Sequence, residues 1–220
     1  MSSDAAILTD AHTHHASPLT DAAVVDMSGL SAEASAAINA RYVSMGIHPC
    51  SVPDNWQAVA ARIADEAAAG HISAVGECGF DRTSSVPLGV QQQVFTSMAD
   101  IAAATGLPMI LHIVRAADII LAQAKVRREG ARWIVHGFRG KPATMRQFLD
   151  AGFTISFGVR YNEESARICP SGRILLETDT AAPELLPPLC DRLSALRDED
   201  LAVTTAANFS RLFAPVAPRP

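Results

Sequence analysis

The sequence predicts an α/β fold, a distorted (β/α)8 barrel of the TIM type that lacks its first crossover helix. Eight short apolar runs alternate with longer stretches in which apolar residues recur at helical spacing, which favours a parallel sheet with a helix in most connections. The runs are almost continuously apolar, as expected for strands that are buried on both faces. An open, doubly wound sheet is the alternative architecture.

Size and composition fit a single domain of this kind. The chain has 220 residues, of which 49% are hydrophobic and 19% are charged, so it can bury a sizeable core. We expect one domain over residues 1–213. The remaining residues, 214–220, include three prolines and are expected to form a flexible tail.

The predicted strands follow the apolar runs, and each run stops at a polar residue or a glycine. They cover residues 7–10, 22–27, 42–47, 72–76, 107–111, 132–135, 153–157 and 173–178. Helices are predicted over residues 31–40, 51–69, 90–105, around 119–124, 143–151, 162–168 and 198–213, where apolar residues recur at helical spacing or helix formers cluster. Only residues 15–21 separate the first two strands, which is too few for a crossover helix.

Charge and cysteine content restrict the partners and the compartment. A net charge of −5 without a long basic run argues against non-specific wrapping of duplex DNA, although a nucleic acid bound locally remains possible as a substrate. No apolar run is long enough to span a membrane, and no signal peptide is recognisable. The four cysteines form no C-x-x-C pair, which favours reduced thiols and a cytoplasmic location.

Residues that can bind metal ions stand at the ends of five predicted strands. His12 and His14 are spaced i, i+2, so their side chains point to the same face of the first strand. The other strand-end residues of this type are Glu77, His112, His136 and Asp179. In a parallel barrel these ends face one mouth, where such enzymes have their active sites, so the six residues predict a metal site there.

The number of ligands suggests two divalent ions. Four histidines and two carboxylates exceed what one tetrahedral ion needs, and Glu77 comes from the strand opposite the His-x-His pair, so we expect it to bridge the ions. His12, His14 and Asp179 would hold one ion and His112 and His136 the other; Zn, Mg, Mn and Fe all suit these ligands. A hydroxide between the ions would be the nucleophile, with Asp179 as the base.

Such a site hydrolyses an ester or an amide, and a phosphoester is the simplest case. Arg115 and Arg139 each follow a predicted ligand by three residues, and arginine binds phosphate through two parallel hydrogen bonds. They favour a nucleic acid or a small phosphodiester as the substrate. A metal-dependent amidohydrolase that acts on a small cyclic amide or ester is the first alternative function. A non-catalytic metal-binding scaffold is the second, although it would not need Asp179 as a base.

The segments DAHTH, GIHP, GECGFD, LPMILH, WIVHGFRG and LLETD occur in this order along the chain. Together they resemble the TatD-like metal-dependent hydrolases, in particular a compact subgroup. The resemblance implies a distorted barrel, two divalent metals and hydrolase activity, in most members DNase activity of the exonuclease or repair type. It carries the metal positions to the six residues above and places His48, in GIHP, near the substrate. The short connection after DAHTH departs from the family pattern.

Overall fold

The computed structural model describes residues 7–29, 39–127 and 132–215. Its centre is one sheet of eight parallel strands in the order β1 to β8, in which each strand pairs with the next along the chain. A bridge between Thr13 and Asp179 joins the first strand to the residues after the last one. The sheet is therefore a nearly closed barrel, and the alternative of an open, doubly wound sheet is wrong.

The strands are short and almost wholly buried. They are β1 (Asp10–Thr13), β2 (Ala23–Asp26), β3 (Tyr42–Met45), β4 (Ala74–Asp81), β5 (Met109–Val114), β6 (Trp133–Val135), β7 (Thr154–Phe157) and β8 (Ile174–Leu176). The helices surround them and are α1 (Trp56–Ala68), α2 (Leu88–Thr105), α3 (Ala117–Val126), α4 (Pro142–Asp150), α5 (Glu163–Ile168), α6 (Leu186–Arg197) and α7 (Leu201–Leu212), with 3-10 turns at Ser171–Arg173 and Pro183–Leu185.

The connection between β1 and β2 confirms that the first crossover helix is missing. Residues 14–22 are all described and contain no helix. The helix predicted over residues 31–40 falls largely on residues 30–38, which lie outside the described part of the chain. The next connection, from β3 to β4, carries the predicted helix, which the structure gives as α1.

Several predicted element bounds are wrong, and one helix was not predicted. The first strand begins at Asp10, where the prediction ended it, because residues 10–13 pair with β2. Strand β4 continues to Asp81 and pairs with β5 beyond Glu77, through residues predicted as a polar loop. Helix α6 was not predicted, since Pro187 and Pro188 suggest a break, but prolines are tolerated in the first turn of a helix.

Side chains from the strands and from the last helix fill the barrel interior at the end opposite the carboxyl ends of the strands. Six strands contribute one buried apolar residue each, namely Ala11, Val24, Ala74, Ile110, Ile134 and Leu175. Phe209 and Leu212 of α7 pack against this layer, together with Phe213 directly after the helix. The interior is therefore a packed core below the mouth, and the polar residues above it stand on a rigid base.

The C-terminal segment remains in contact with the barrel as far as it is described. The Ser73 hydroxyl donates a 2.6 Å hydrogen bond to the carbonyl oxygen of Ala214. Of the expected flexible tail, residues 216–220 lie outside the described residues. In the described part of the chain, every helix is too short or too polar to cross a membrane.

Candidate metal centre

The six predicted ligands come together at the mouth formed by the carboxyl ends of the strands. His12 belongs to β1, and His14 follows directly after it. Glu77 and His112 lie within β4 and β5, which continue past them, so these two residues are not at strand ends as predicted. His136 follows β6 directly, and Asp179 stands three residues after the end of β8.

Glu77 occupies the centre of the cluster, and its two oxygens face different histidines. Oε2 lies 3.3 Å from Nε2 of His12 and 3.3 Å from Nε2 of His14. Oε1 lies 2.6 Å from Nδ1 of His112 and 2.9 Å from Nε2 of His136. One carboxylate with a pair of imidazoles at each oxygen is the arrangement expected of a ligand that bridges two ions.

The backbone around Glu77 depends on two glycines. Gly76 and Gly79 both have φ +146°, which side chains rarely allow. A Cβ atom on Gly76 would collide with the carbonyl oxygen of Ile110, and one on Gly79 with that of His112. The register between β4 and β5 also shifts between Val75 and Cys78. This irregularity lets β4 approach β5 closely while Glu77 is directed into the mouth.

The electrostatics of the cluster keep Glu77 charged. Burial alone would raise the pKa of Glu77, but the charge of His136 and hydrogen bonds from the surrounding histidines hold it far below the usual range. For His136 burial acts in the opposite direction, and the carboxylates of Glu77 and Glu177 outweigh it, so its pKa lies well above 6.5. A proton on His136 therefore balances part of the buried negative charge.

The donor set fits divalent metal ions. Three overlapping groups have ligand atoms within 4.8 Å of one another: His12, His14 and Glu77; Glu77, His112 and His136; and His12, His136 and Asp179. His12 is fully buried, and neither of its ring nitrogens forms a hydrogen bond, although Nε2 is 3.3 Å from Glu77. A buried imidazole without a hydrogen bond is costly unless another ligand satisfies it, and a metal ion at the centre would do so.

In three of the four histidines, the ring nitrogen that is not beside Glu77 contacts a second carboxylate, which fixes the orientation of the ring. Asp26 Oδ2 lies 3.3 Å from Nδ1 of His14, and Asp81 Oδ2 lies 3.1 Å from Nε2 of His112. Glu177 Oε1 lies 3.2 Å from Nδ1 of His136 and also accepts a 2.6 Å bond from the amide of Gly137. In each ring a proton on the nitrogen that faces this outer carboxylate would leave the other nitrogen free to bind an ion at Glu77.

The seam between the first and the last strand positions Asp179. The amide of Asp179 donates to the carbonyl oxygen of His12 at 2.9 Å, and the amide of His14 donates to the carbonyl oxygen of Asp179 at 3.0 Å. Buried Asp10 accepts hydrogen bonds from the amide and the hydroxyl of the neighbouring Thr178. These bonds hold Asp179 at φ +55°, with Oδ1 3.6 Å from Nε2 of His14.

His48 was predicted to lie near the substrate, and in the structure it directly contacts two of the predicted metal ligands. Its Nε2 is 3.2 Å from Glu77 Oε1 and 3.2 Å from Nδ1 of His112. Its Nδ1 accepts a 3.0 Å hydrogen bond from the amide of Cys50. A neutral His48 therefore carries its proton on Nε2, so that it is a hydrogen-bond donor beside the centre rather than a ligand.

Two cavities border different residues of the cluster. One of about 660 Å³ is bordered by His14 and His48 and extends to α1. The other, of about 670 Å³, is bordered by His112, His136 and Asp179. The predicted substrate residues Arg115 and Arg139 are exposed at the rim of this second cavity. The structure thus brings both arginines to the same side of the ligands.

Sequence reasoning missed Asp26 as a site residue, and it gave Asp81 and Glu177 no firm role. All three are buried. Asp26 is the last residue of its strand, as the structure shows, so it followed the same strand-end pattern that identified other ligands. Its pairing with His14 depends on how neighbouring strands are aligned, and the sequence does not show that alignment.

Comparisons with known proteins identify a family of hydrolases that this chain resembles. The sequence model of the family described as "TatD related DNase" matches residues 18–214. The chain is 26% identical to an uncharacterized metal-dependent hydrolase of Bacillus subtilis, YabD, over 78% of this chain and 77% of that protein. It is 35% identical to the 3'-5' ssDNA/RNA exonuclease TatD of Klebsiella pneumoniae, over 64% of this chain and 57% of that protein.

Solved structures show the same fold. The crystal structure of YJJV, a TatD homologue from Escherichia coli, superposes with a TM-score of 0.76 at 23% identity and covers 87% of this chain and 85% of that one. A hydrolase of the TatD family from Entamoeba histolytica gives a TM-score of 0.68 at 14% identity, covering 86% and 82%. With the family match over most of its length, the chain belongs to the TatD-related DNase family of metal-dependent hydrolases.

Proposed function

We propose that this chain is a two-metal phosphodiesterase that removes nucleotides from single-stranded DNA or RNA. The observation that carries the proposal is the position of Glu77, whose two oxygens face different histidines. The names of several relatives, among them the exonuclease of Klebsiella pneumoniae, support the choice of substrate. Neither the amidohydrolase nor the scaffold alternative is favoured by the relatives.

In this proposal six residues hold two divalent ions. His12, His14 and Asp179 would bind one ion together with Oε2 of Glu77, and His112 and His136 would bind the other together with Oε1. When bound, the ions activate a water molecule and neutralise charge on the phosphate. The oxygen and nitrogen donors fit Zn, Mg or Mn, and the native metal is a matter for direct analysis.

The remaining chemistry belongs to side chains around the mouth. The side chain of Asp179 is 27% exposed, so a water molecule beside His14 can reach its carboxylate, which takes the proton of the attacking water. His48 donates its Nε2 proton in a hydrogen bond to a phosphate oxygen, a role supported by the amide of Cys50 at Nδ1. Arg115 and Arg139 bind neighbouring phosphates through their guanidinium groups.

The two cavities suit a strand that crosses the centre. Each is within the size range of pockets that enclose a small ligand, and they border different residues of the cluster. A scissile phosphate over the ligands would leave one nucleoside in each cavity. The net charge of −5 disfavours extended backbone contacts with a duplex, so we assign the specificity to short single-stranded segments.

Degradation of end-labelled single-stranded oligonucleotides tests this function. We expect release of mononucleotides in the presence of Mg²⁺, Mn²⁺ or Zn²⁺ and none after EDTA treatment. Asp179→Asn is expected to keep most of the bound metal and lose turnover, whereas Arg139→Ala is expected to raise KM. Arg146→Ala is the matched control, because Arg146 is an exposed arginine of α4 away from the cavity. Activity that survives exhaustive chelation contradicts the proposal.

We further propose the cellular compartment of the protein and the bounds of its domain. The four cysteines are free thiols, which supports a reducing compartment such as the cytoplasm. The described helices all pack around a single sheet, which supports one domain over residues 1–213.

A further inference from the structure

A second group of metal-binding side chains lies on the outer side of His112, away from Glu77. Cys50 Sγ is 3.3 Å from Oδ2 of Asp81, and Nε2 of His112 is 3.1 Å from the same oxygen. Ligand atoms of Cys50, His112 and His48 also lie within 4.8 Å of one another. None of the roles derived above uses the side chain of Cys50, which is exposed.

The two separations from Asp81 Oδ2 are close to those between neighbouring ligand atoms in a tetrahedral zinc site. With Zn–S of about 2.3 Å and Zn–N or Zn–O of about 2.0–2.1 Å, neighbouring ligand atoms are about 3.3–3.6 Å apart. The observed separations of 3.3 Å and 3.1 Å need adjustments of a few tenths of an ångström. Asp81 is held in place for this role, because its other oxygen accepts hydrogen bonds from the amide and the hydroxyl of Thr83.

The sulfur ligand selects the class of ion. Thiolates prefer soft or borderline ions such as Zn²⁺ and Cd²⁺ over Mg²⁺ and Mn²⁺. The ligands around Glu77 contain only nitrogen and oxygen. The outer group should therefore prefer soft or borderline ions, a preference that the central group, which has no sulfur ligand, does not share.

His112 belongs to both groups but can serve only one ion. A neutral imidazole has a single nitrogen with a free lone pair. In the central site that nitrogen is Nδ1, which faces Glu77 at 2.6 Å. Coordination of an outer ion by Nε2 would move the proton to Nδ1 and place an N–H group where the central ion needs a lone pair. Binding at the outer position consequently opposes binding by His112 at the centre.

We propose that Cys50, Asp81 and His112 form an inhibitory site for zinc or another soft or borderline divalent ion. Occupation of this site withdraws His112 from the central pair of ions and lowers hydrolytic activity. The inhibition rests on the function proposed above, whereas the binding of the ion to Cys50 does not.

Cadmium binding tests the site without reference to activity. We expect Cd²⁺ titrated into the full-length protein to give an ultraviolet band of sulfur-to-cadmium charge transfer, which Cys50→Ser abolishes. Bound Zn²⁺ should also protect Cys50 from alkylation by iodoacetamide, whereas Mg²⁺, the hard-ion control, should not. Cys50 is exposed, so the substitution should leave the melting temperature unchanged. A band of equal intensity in Cys50→Ser, or alkylation unaffected by Zn²⁺, overturns the proposed site.

Activity measurements test its inhibitory role. With the Mn²⁺-loaded enzyme, we expect excess Zn²⁺ to reduce nuclease activity about tenfold, in line with the loss of support for one histidine ligand. Cys50→Ser should have normal basal activity and resist this inhibition. Equal inhibition of both proteins shows that zinc acts elsewhere and overturns the inhibitory role. Absence of nuclease activity under all conditions would contradict the proposed function and leave the cadmium result to decide the site.

Discussion

Replacement of Asp26 by asparagine tests how the protein prepares His14 for a metal ion. Asp26 Oδ1 accepts hydrogen bonds from the amide of Ser28 at 3.1 Å and from its hydroxyl at 2.6 Å, while Oδ2 faces Nδ1 of His14. Because the amide of Ser28 needs an acceptor, the oxygen of the asparagine will stay at Oδ1 and its NH2 group will face His14. Nδ1 of His14 must then accept a hydrogen bond, which leaves the proton on Nε2.

This change removes the lone pair that His14 offers beside Glu77. Loss of such an outer carboxylate typically weakens metal binding about 10–100-fold, equivalent to about 1.4–2.8 kcal/mol. We expect this loss for one of two ions, since His112 and His136 have their own carboxylates. Calorimetric titration of the metal-free protein with Mn²⁺ or Zn²⁺ should therefore show one weakened and one unchanged binding step.

A matched control separates this effect from a general change in charge. Asp150 is an exposed carboxylate at the end of α4, and Asp150→Asn removes the same charge at the surface. It should bind both ions as the unchanged protein does. The reasoning is refuted if Asp26→Asn binds both ions with affinities within about twofold of the original, a difference that is small beside the expected 10–100-fold.

Four further measurements probe the site and the core. Glu77→Ala is expected to reduce bound metal from about two ions to one or none by elemental analysis; two ions would show that Glu77 does not bridge. As the pH is lowered, metal affinity should begin to fall while the pH is still above 6.5, because the carboxylates around His136 raise its pKa and protons then compete with ions. Metal titrations at several pH values measure this loss of affinity. Phe209→Ala should lower the free energy of unfolding in urea by about 3–5 kcal/mol, since Phe209 fills the barrel interior. Only Cys50 should react with a thiol reagent in the native protein, because its side chain is exposed whereas those of Cys78, Cys169 and Cys190 are buried.

The fold and the ligands were predictable because both are encoded in local patterns. Each barrel strand is a short apolar run, and a polar residue after or within the run faces the mouth. This rule placed His136 and Asp179 at the mouth from their position in the sequence alone. Glu77 and His112 also reach the mouth, as predicted, although their strands continue beyond them.

The length of β4 could not be read from the sequence because a distant side chain completes its hydrogen bonds. The Gly-rich segment after Glu77 has the composition of a loop. In the structure Gln91 of α2 accepts from the amide of Asp81 at 2.9 Å and donates to its carbonyl oxygen at 3.0 Å. These bonds replace those of a neighbouring strand and require the helix to be in place, which no local pattern indicates.

The pairing of carboxylates with histidines has the same origin. Asp26 and His14 are on neighbouring strands, whereas Glu177 and His136 are 41 residues apart. Which carboxylate lies behind which ring depends on strand alignment and on the irregularity at Gly76 and Gly79. A sequence shows that such carboxylates exist at strand ends but not which histidine each one orients.

The seam between β1 and β8 has a mechanical consequence for the whole ring of strands. Few main-chain bonds join these strands, yet His12 and His14 lie on one side of the seam and Asp179 on the other. An ion held by these residues would link the first strand of the barrel to the last one. Part of the free energy of metal binding would therefore add to the free energy of unfolding. Removal of the metal should therefore loosen the N-terminal strand first, and limited proteolysis with and without EDTA should cut the chain there before any other strand.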